Sequence, residues 1–300
     1  GIEAAPETPA GVKRLCRIAR LGTIQPKIPD YATAFQAIGP AAVKLGQTLA
    51  TRPDLVGEEA ARNLLSLQDA LAPVGSASIA QVHRAVTTEG RKVAVKVRRP
   101  GIDKQFARDI DTYEWAAAHL EALGGEATRL RPREVIANFR RWTLRELDLR
   151  REAASASELA DAMVGVPTYE VPAIDWDRTA SRVMTLDWID GIKISHREQL
   201  IAAGHDMEAL SANLVNAFLR QAIAEGFFHA DMHQGNLFVK ADGTIAAVDF
   251  GIMGRINRQA RYWLAEILYG LTTGNYRRVA EIHFEAQYVP DYHNVEEFAT

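Results

Sequence analysis

The sequence predicts an α+β protein from three observations. Helical spacing of apolar residues fills the first third of the chain, β-branched alternation begins near Pro73, and strand and helix signals then mix. With 300 residues, 47% of them hydrophobic, the chain can bury a core and fill one or two domains. Its net charge of −3 gives no overall bias towards nucleic acid, which we therefore do not expect as a partner.

Two helical segments are predicted before Pro73. The stretches TAFQAIGPAAVKLGQTLATRP and DLVGEEAARNLLSLQDAL carry apolar residues three and four positions apart. Lys44 and Gln47 stand three apart in KLGQ, so they share one face of a helix. Taken alone, such a pair is typical of a solvated helix surface.

A β-hairpin is predicted after Pro73. VGSASIAQVHRAV alternates like a strand, a TEG turn follows, and KVAVKV places Lys96 among valines. An ammonium group is costly to bury alone, so Lys96 needs an anionic partner. Small residues at the hairpin entrance would let the backbone approach a phosphate; they are Gly75, Ser76, Ala77 and Ser78.

One long helix, from about Pro132 to Met163, is predicted to supply carboxylates. It contains Glu146, Asp148 and Glu152, of which the last two stand four apart on one helical face. Each is a candidate partner for Lys96. The alternative is that these acids pair with neighbouring arginines at the surface, where ion pairs contribute little.

The second half is predicted to form a strand at residues 182–186 and a helix that Asp206 caps and Gly226 ends. A polar loop in FFHADMHQGNLF follows. After it comes a hairpin whose second strand ends on Asp249, and the remainder is predicted to be helical.

Phosphoryl transfer would use these polar residues together. Asp231 would orient a nucleophile or accept its proton, Asn236 and Asp249 would hold Mg²⁺, and Lys96 would contact nucleotide phosphates. Protein kinases place a catalytic Asp five residues before an Asn, then a strand pair that ends in Asp-Phe-Gly. This chain has the same order and spacing.

A metal-dependent hydrolase is the alternative chemistry. His229, Asp231 and His233 form an H-x-D-x-H pattern that could bind Zn²⁺ with Asp249. That reading leaves Lys96 and the acidic helix without a role. A purely structural role for both histidines is favoured over it.

The motifs together resemble the UbiB-like atypical kinases, a family that includes mitochondrial and plastid proteins of quinone metabolism. The matching stretches cover about four fifths of the chain; they are KLGQTLATRPDLV, SASIAQVHRA, VAVKVRRPGI, ELDLRREAA, GFFHADMHQGNLFV and DFGIMG. The resemblance implies a protein-kinase-like two-lobe fold with an N-terminal helical KxGQ extension. Its implied ranges are 1–72 for the extension, 73–186 for the N-lobe with the ExD helix, and 187–300 for a C-lobe truncated at its C-terminus.

The resemblance also implies a role for each matching residue. Lys96 resembles the phosphate-binding lysine, Glu152 its ion-pair partner, Asp231 the catalytic aspartate, and Asn236 and Asp249 the Mg²⁺ ligands. Further matches are the KxGQ and ExD residues, which in the family occlude the site of a protein substrate, and the adenine-side hinge; they are Lys44, Gln47, Glu146, Asp148, Met184 and Leu186.

ATP hydrolysis or phosphorylation of a small molecule is the activity expected from this resemblance, in support of ubiquinone biosynthesis. No APE motif follows the DFG sequence, so a segment that would bind a peptide is not apparent. The alternative is a catalytically silent nucleotide-binding scaffold or lipid-binding protein that organises quinone-biosynthesis enzymes. The chain departs from the family at Met232 and Gln234, where prolines are usual, and at Gly75-Ser76 in its alanine-rich loop.

A bacterial cytoplasmic location at the inner face of the membrane is expected. The single Cys16 fits a reducing compartment, and no apolar run is long enough for a membrane span or a secretory signal. Expected partners are ATP and ADP, with peripheral contact to lipid and to quinone-biosynthesis enzymes.

Overall fold

The computed structural model describes residues 31–38, 40–50, 56–69, 79–122, 124, 131–289 and 294–298. These residues fall into two compact units. Unit 1 lies within Gly1–His83 and Lys96–Asp148, and unit 2 within Arg84–Val95 and Leu149–Thr300. The predicted division into a helical extension at residues 1–72 and two kinase lobes at 73–186 and 187–300 differs from these units and stays a prediction.

Unit 1 is largely helical. Its helices are α1 Tyr31–Ile38, α2 Pro40–Ala50, α3 Glu58–Asp69, α4 Ile102–Ala122 and α5 Pro132–Glu146. Helix α5 begins with a proline at its first turn, where the missing N–H removes no helical hydrogen bond. Buried apolar side chains of α4 and α5, including Phe106, Ile110 and Phe139, form the main core together with Ile79. The helical pattern predicted for the first third is confirmed in the described residues.

The predicted β-hairpin is confirmed as β1 Ala80–Val86 and β2 Lys92–Arg98. At its turn Gly90 has a φ of 88°, and its N–H donates to the Thr87 carbonyl at 2.9 Å. A third strand, β4 Val183–Asp187, completes a sheet of order β1-β2-β4. Lys96 is only 6% exposed, and Val93 is the other buried residue of β2, so the strand is buried in part.

The prediction of one long helix across residues 132–163 is wrong. The structure breaks it into α5 and α6 Leu149–Ala162, with Leu147 and Asp148 between them. The Leu149 N–H donates to the Ser181 carbonyl at 3.1 Å, whereas a continuous helix would direct it to residue 145. Leu147 and Leu149 are 6% and 0% exposed. Leu147 packs in the core of unit 1, and Leu149 packs in a core of unit 2.

Unit 2 combines a mixed sheet with helices. Its further strands are β3 Tyr169–Glu170, β5 Ile192–Lys193, β6 Phe227–His229, β7 Leu237–Val239, β8 Ile245–Ala247 and β9 Met253–Arg255. Its further helices are α7 Arg197–Ala202, α8 Met207–Leu219, α9 Arg258–Thr273, α10 Tyr276–Glu285 and α11 Val295–Phe298. One sheet has the order β3-β8-β7-β5, and β6 pairs with β9. Leu159, Leu200 and Ile245, all fully buried, lie in the core that supports this sheet.

The helix predicted to lead into the polar loop is confirmed, with one change of geometry. The Asp206 side chain accepts from the N–H groups of Glu208 and Ala209, and Gly226 ends the segment with a φ of 70°. The last turn, Arg220–Glu225, is a π-helix rather than an α-helix. Wider turns of this kind often occur at functional sites.

Two predictions about the last part of the chain are wrong. Strand β8 ends at Ala247, two residues before Asp249, and strand β9 interrupts the region predicted to be wholly helical. Strand β9 pairs antiparallel with β6, which places Gly254 opposite Phe228. A Cβ on Gly254 would lie 2.3 Å from the Phe228 ring. The strand therefore forms because a glycine lets the two backbones pack closely, and it lacks the β-branched pattern that would have predicted it.

Candidate active site

The polar loop, residues 229–236, is shaped by its own side chains. The His229 Nδ1 accepts from the Asp231 N–H at 3.1 Å, and the His233 Nδ1 accepts from the Gly235 N–H at 3.0 Å. The Asn236 Nδ2 donates to the Asp231 carbonyl at 3.2 Å. The Asp231 side chain is still 31% exposed, so its carboxylate can face a substrate.

His229 is a neutral structural histidine. Its side chain is 1% exposed, and burial lowers its pKa, although the charges of Asp249 and Asp231 oppose this effect. Its ring also packs on Phe250, with 5.6 Å between centroids. Among the described residues, no group of three or more His, Cys, Asp or Glu side chains gathers as a metal site would. Because both loop histidines accept backbone N–H groups, the structure favours their structural role over the zinc alternative.

The Asp249-Phe250-Gly251 segment adopts an unusual backbone. Asp249 has a φ of 68°, in the left-handed region that Asp tolerates better than most residues. Its Oδ1 accepts from the Gly251 N–H at 3.4 Å. The Phe250 N–H donates to the Glu152 Oε1 at 3.3 Å, so unit 2 brings Glu152 of α6 beside this segment. At 8% exposure, Glu152 is a buried carboxylate with a defined position.

Asn236 and Asp249 fit a Mg²⁺ site by chemistry and position. Asn236 directly precedes β7 and Asp249 lies two residues after β8, and the Val248 N–H between them donates to the Asn236 carbonyl at 2.8 Å. The Asn236 amide nitrogen donates to the Asp231 carbonyl, so the amide oxygen is the atom of this side chain that could bind a cation. Amide and carboxylate oxygens are the ligands that Mg²⁺ prefers.

In unit 1 the structure brings Lys44 and Glu146 together. Their Nζ and Oε2 atoms are 2.9 Å apart, and the side chains are 16% and 19% exposed. This contact joins the KxGQ residue Lys44 to the ExD residue Glu146. Gln47 lies half-buried on α2 with Lys44, and Asp148 is half-buried just beyond α5.

The remaining predicted site residues are Met184, Leu186, Lys96 and the predicted phosphate loop. Met184 and Leu186, predicted at the adenine side, are 1% and 6% exposed and pack with Leu149 and Ala153. The predicted Lys96–Glu152 ion pair joins residues of different units and stays a prediction. The predicted phosphate loop lies outside the described residues; its members are Gly75, Ser76, Ala77 and Ser78.

Gln221 is a site residue that the sequence analysis misses. It is 0% exposed, and its Oε1 accepts from the His229 N–H at 3.1 Å. A sequence signal exists, because Gln221 continues the helical spacing of the apolar residues Leu210, Leu214 and Ala217. An amide on such a stripe must find a buried partner.

The fold and the order of Lys96, Asp231, Asn236 and Asp249 define a protein-kinase-like chain. A family model described as "ABC1 atypical kinase-like domain" matches residues 57–283. The chain therefore belongs to the ABC1 atypical kinase-like family, which confirms the resemblance seen in the sequence.

Curated relatives carry the name "Probable protein kinase UbiB". The protein of this name from Marinobacter nauticus is 37% identical over 88% of this chain and 54% of its own length. A Xylella fastidiosa protein of the same name is 36% identical with the same coverage. The chain thus spans about half the length of these relatives.

A solved structure supports the fold. The Rv3197–erythromycin complex from Mycobacterium tuberculosis matches 95% of this chain and 76% of its own, with a TM-score of 0.55 and 23% sequence identity. At this level of identity the likeness concerns the fold alone.

Proposed function

We propose that the protein binds ATP with Mg²⁺ and hydrolyses it, or transfers its γ-phosphoryl group to a small molecule. The observation that supports this proposal is that the Asn236 Nδ2 donates to the Asp231 carbonyl, while the Val248 N–H, next to Asp249, donates to the Asn236 carbonyl. This arrangement supports the roles that phosphoryl-transfer enzymes give to such residues.

In this mechanism the Asp231 carboxylate orients the attacking hydroxyl or water and accepts its proton. Asn236 and Asp249 would hold Mg²⁺, which when bound offsets the negative charge of the phosphates. Lys96 would contact the α and β phosphates with its ammonium group. The His229 and Asn236 contacts keep the Asp231 backbone in place, so little reorganisation is needed during the reaction.

A substrate smaller than a protein is supported by the short segment after Phe250. Strand β9 follows almost at once and α9 begins at Arg258, which leaves little chain for binding a peptide. We propose quinone biosynthesis as the setting because the relatives named UbiB belong to the family that the motifs resemble. Protein phosphorylation, which the same printed names mention, is the competing activity.

Contact with a membrane is part of the proposal because isoprenoid quinones are lipids. Among the described residues, no helix combines the length and hydropathy needed to cross a bilayer. On the ground that isoprenoid quinones are lipids, we propose peripheral contact at the cytoplasmic face of the membrane, with quinone-biosynthesis enzymes as partners.

Asp249→Asn tests the proposed activity. Asn also tolerates a positive φ, so the substitution removes the charge and leaves the backbone conformation. We expect Mg²⁺-dependent phosphate release from ATP to fall by about a hundredfold or more, the order of magnitude seen when an essential electrostatic group is removed.

Asp242→Asn is the matched control. Asp242 is an exposed aspartate in the turn between β7 and β8 whose Oδ1 accepts from the Thr244 N–H, a bond that Asn can also make. This variant should keep wild-type turnover. A wild-type protein that binds MgATP tightly and releases no phosphate, alone or with quinone precursors, would contradict the enzyme and support a nucleotide-binding scaffold. Transfer to added protein would contradict the small-molecule substrate.

A further inference from the structure

The π-helix before the polar loop is held from outside by Arg261 of α9. The Arg261 Nε donates to the Ile223 carbonyl at 2.6 Å, and its Nη2 donates to the Ala224 carbonyl. The Gly226 N–H donates back to the Gln221 carbonyl, and the Ile256 N–H donates to the Gly226 carbonyl at 3.0 Å. The wide turn is therefore a fixed part of the unit, with two of its carbonyl groups bonded by a side chain from another helix.

The π-helix directs Gln221 towards the first residue of the polar loop. The Gln221 Oε1 accepts from the His229 N–H, a group that the β6–β9 pairing leaves available. Gln221 is completely buried, so no solvent competes for this bond. A buried hydrogen bond of this kind is expensive to lose, because the N–H is left without an acceptor.

From His229 the hydrogen bonds continue to the proposed catalytic residues. The His229 ring accepts from the Asp231 N–H, and the Asp231 carbonyl accepts from the Asn236 amide. Gln221 thus begins a series of contacts that runs through His229 to Asp231 and Asn236. Every contact in the series involves a backbone group of the polar loop, so a displacement at His229 reaches Asp231 directly.

Tyr169 also contacts the polar loop. Its hydroxyl lies 3.9 Å from the Met232 Sδ, within a weak hydrogen bond. Burial raises the pKa of Tyr169 to about 12, and the Gln221 side chain acts in the opposite direction. Within the described part of the chain, the buried Gln221 Nε2 makes no hydrogen bond.

We propose that Gln221 is a positioning residue for Asp231. It acts by holding the His229 backbone, and it does not touch the substrate. The catalytic part of this inference rests on the proposed phosphoryl-transfer function, whereas its structural part does not. The inference predicts that the acceptor oxygen at position 221 matters, and that side-chain volume alone does not suffice.

Gln221→Met and Gln221→Glu separate these properties. Met has a similar length and no acceptor oxygen, while Glu keeps an oxygen at the Oε1 position. For Gln221→Met we expect kcat to fall about tenfold to a hundredfold, because small displacements of a catalytic group have effects of this size. The KM for MgATP should change less than kcat, because Lys96 and Asp249 are not members of this series of contacts and their side chains are retained. Gln221→Glu should keep kcat within about threefold of wild type.

Leu200→Ala controls for lost stability. Leu200 is fully buried in the same unit, and its side chain makes no hydrogen bond to the polar loop. This variant should lose folded protein without losing kcat per folded molecule. Equal kcat in Gln221→Met and wild type, or equal losses in the Met and Glu variants, would overturn the proposal.

A measurement without turnover separates this inference from the proposed function. Backbone amide NMR signals of Asp231 and Asn236 should shift in Gln221→Met and stay near wild type in Gln221→Glu, with or without nucleotide. Unchanged signals in the Met variant would overturn the positioning role even in an active enzyme. If wild type releases no phosphate, the proposed function fails, while the signals still test whether Gln221 sets the loop. Should the Met variant not fold, Gln221→Asn, whose shorter amide cannot reach His229, replaces it with the same expectations.

Discussion

The polar loop of unit 2 and the Lys44–Glu146 pair of unit 1 are built in opposite ways. The loop is fixed by neutral hydrogen bonds, and its anchors Gln221 and His229 are 0% and 1% exposed. The unit 1 pair is a direct contact of two charges whose side chains are 16% and 19% exposed. Loop geometry should therefore be insensitive to salt, whereas the ion pair is open to screening.

This difference separates two tasks in one chain. A group that must meet a reacting atom, as Asp231 would in the proposed mechanism, benefits from backbone contacts that solution conditions do not change. A partly exposed ion pair can join two motifs, and separating its charges costs less free energy than in a fully buried pair because water can solvate both charges.

Gly226→Ala is the largest expected effect on stability. At a φ of 70°, an added Cβ would lie 2.8 Å from the Arg261 Cδ and 2.8 Å from the Ile256 carbonyl oxygen. Left-handed strain and overpacking together should lower the free energy of unfolding by about 2–4 kcal/mol. Urea denaturation at low and high salt measures this loss, which should not depend on salt.

Gly243→Ala is the matched control for that substitution. Gly243 has a φ of 84°, and a Cβ there would meet no atom within 4 Å. Only the backbone strain remains, so Gly243→Ala should lower the free energy of unfolding by about 1 kcal/mol. Similar losses for both variants would show that the Arg261 and Ile256 contacts do not constrain the π-helix.

A smaller effect is expected for the Lys44–Glu146 pair. A double-mutant cycle of Lys44→Met and Glu146→Gln should give a coupling of about 1 kcal/mol at low salt, at the upper end for ion pairs that water can reach. Raising NaCl to about 0.5 M should reduce this coupling because the pair is partly solvated.

The control cycle uses Arg62 and Glu58 on α3. Their Nη2 and Oε2 atoms are 3.2 Å apart, and the side chains are 75% and 82% exposed. Their coupling should be at most about 0.5 kcal/mol. Equal couplings for the two pairs would remove the distinction between the KxGQ–ExD contact and ordinary surface charges.

Much of the fold was predictable because its signals are local. The β1–β2 hairpin, the burial of Lys96 and the Asp206 cap follow from alternation, composition and capping chemistry, and the structure confirms them. Motif order also led to the correct family.

The errors arose where distant contacts decide the local structure. The helix break at residues 147–148 depends on the Ser181 carbonyl, which accepts from Leu149. Strand β9 depends on Gly254 making room for Phe228. Gln221 is an amide on an apolar helical stripe, but its partner His229 is set by the π-helix. None of these partners can be identified from the residues nearby in sequence.

Thermal unfolding with and without MgATP or MgADP tests the central claim, nucleotide binding at a kinase-like site, most directly. At about one hundred times Kd, a nucleotide that binds only the native state adds about 2.7 kcal/mol, which corresponds to a Tm rise of roughly 5–10 °C. The rise should require Mg²⁺, disappear in Lys96→Ala and persist in Lys104→Ala, which changes an exposed lysine of α4. Wild-type protein with no shift for either nucleotide, or Lys96→Ala with the full shift, would contradict the account.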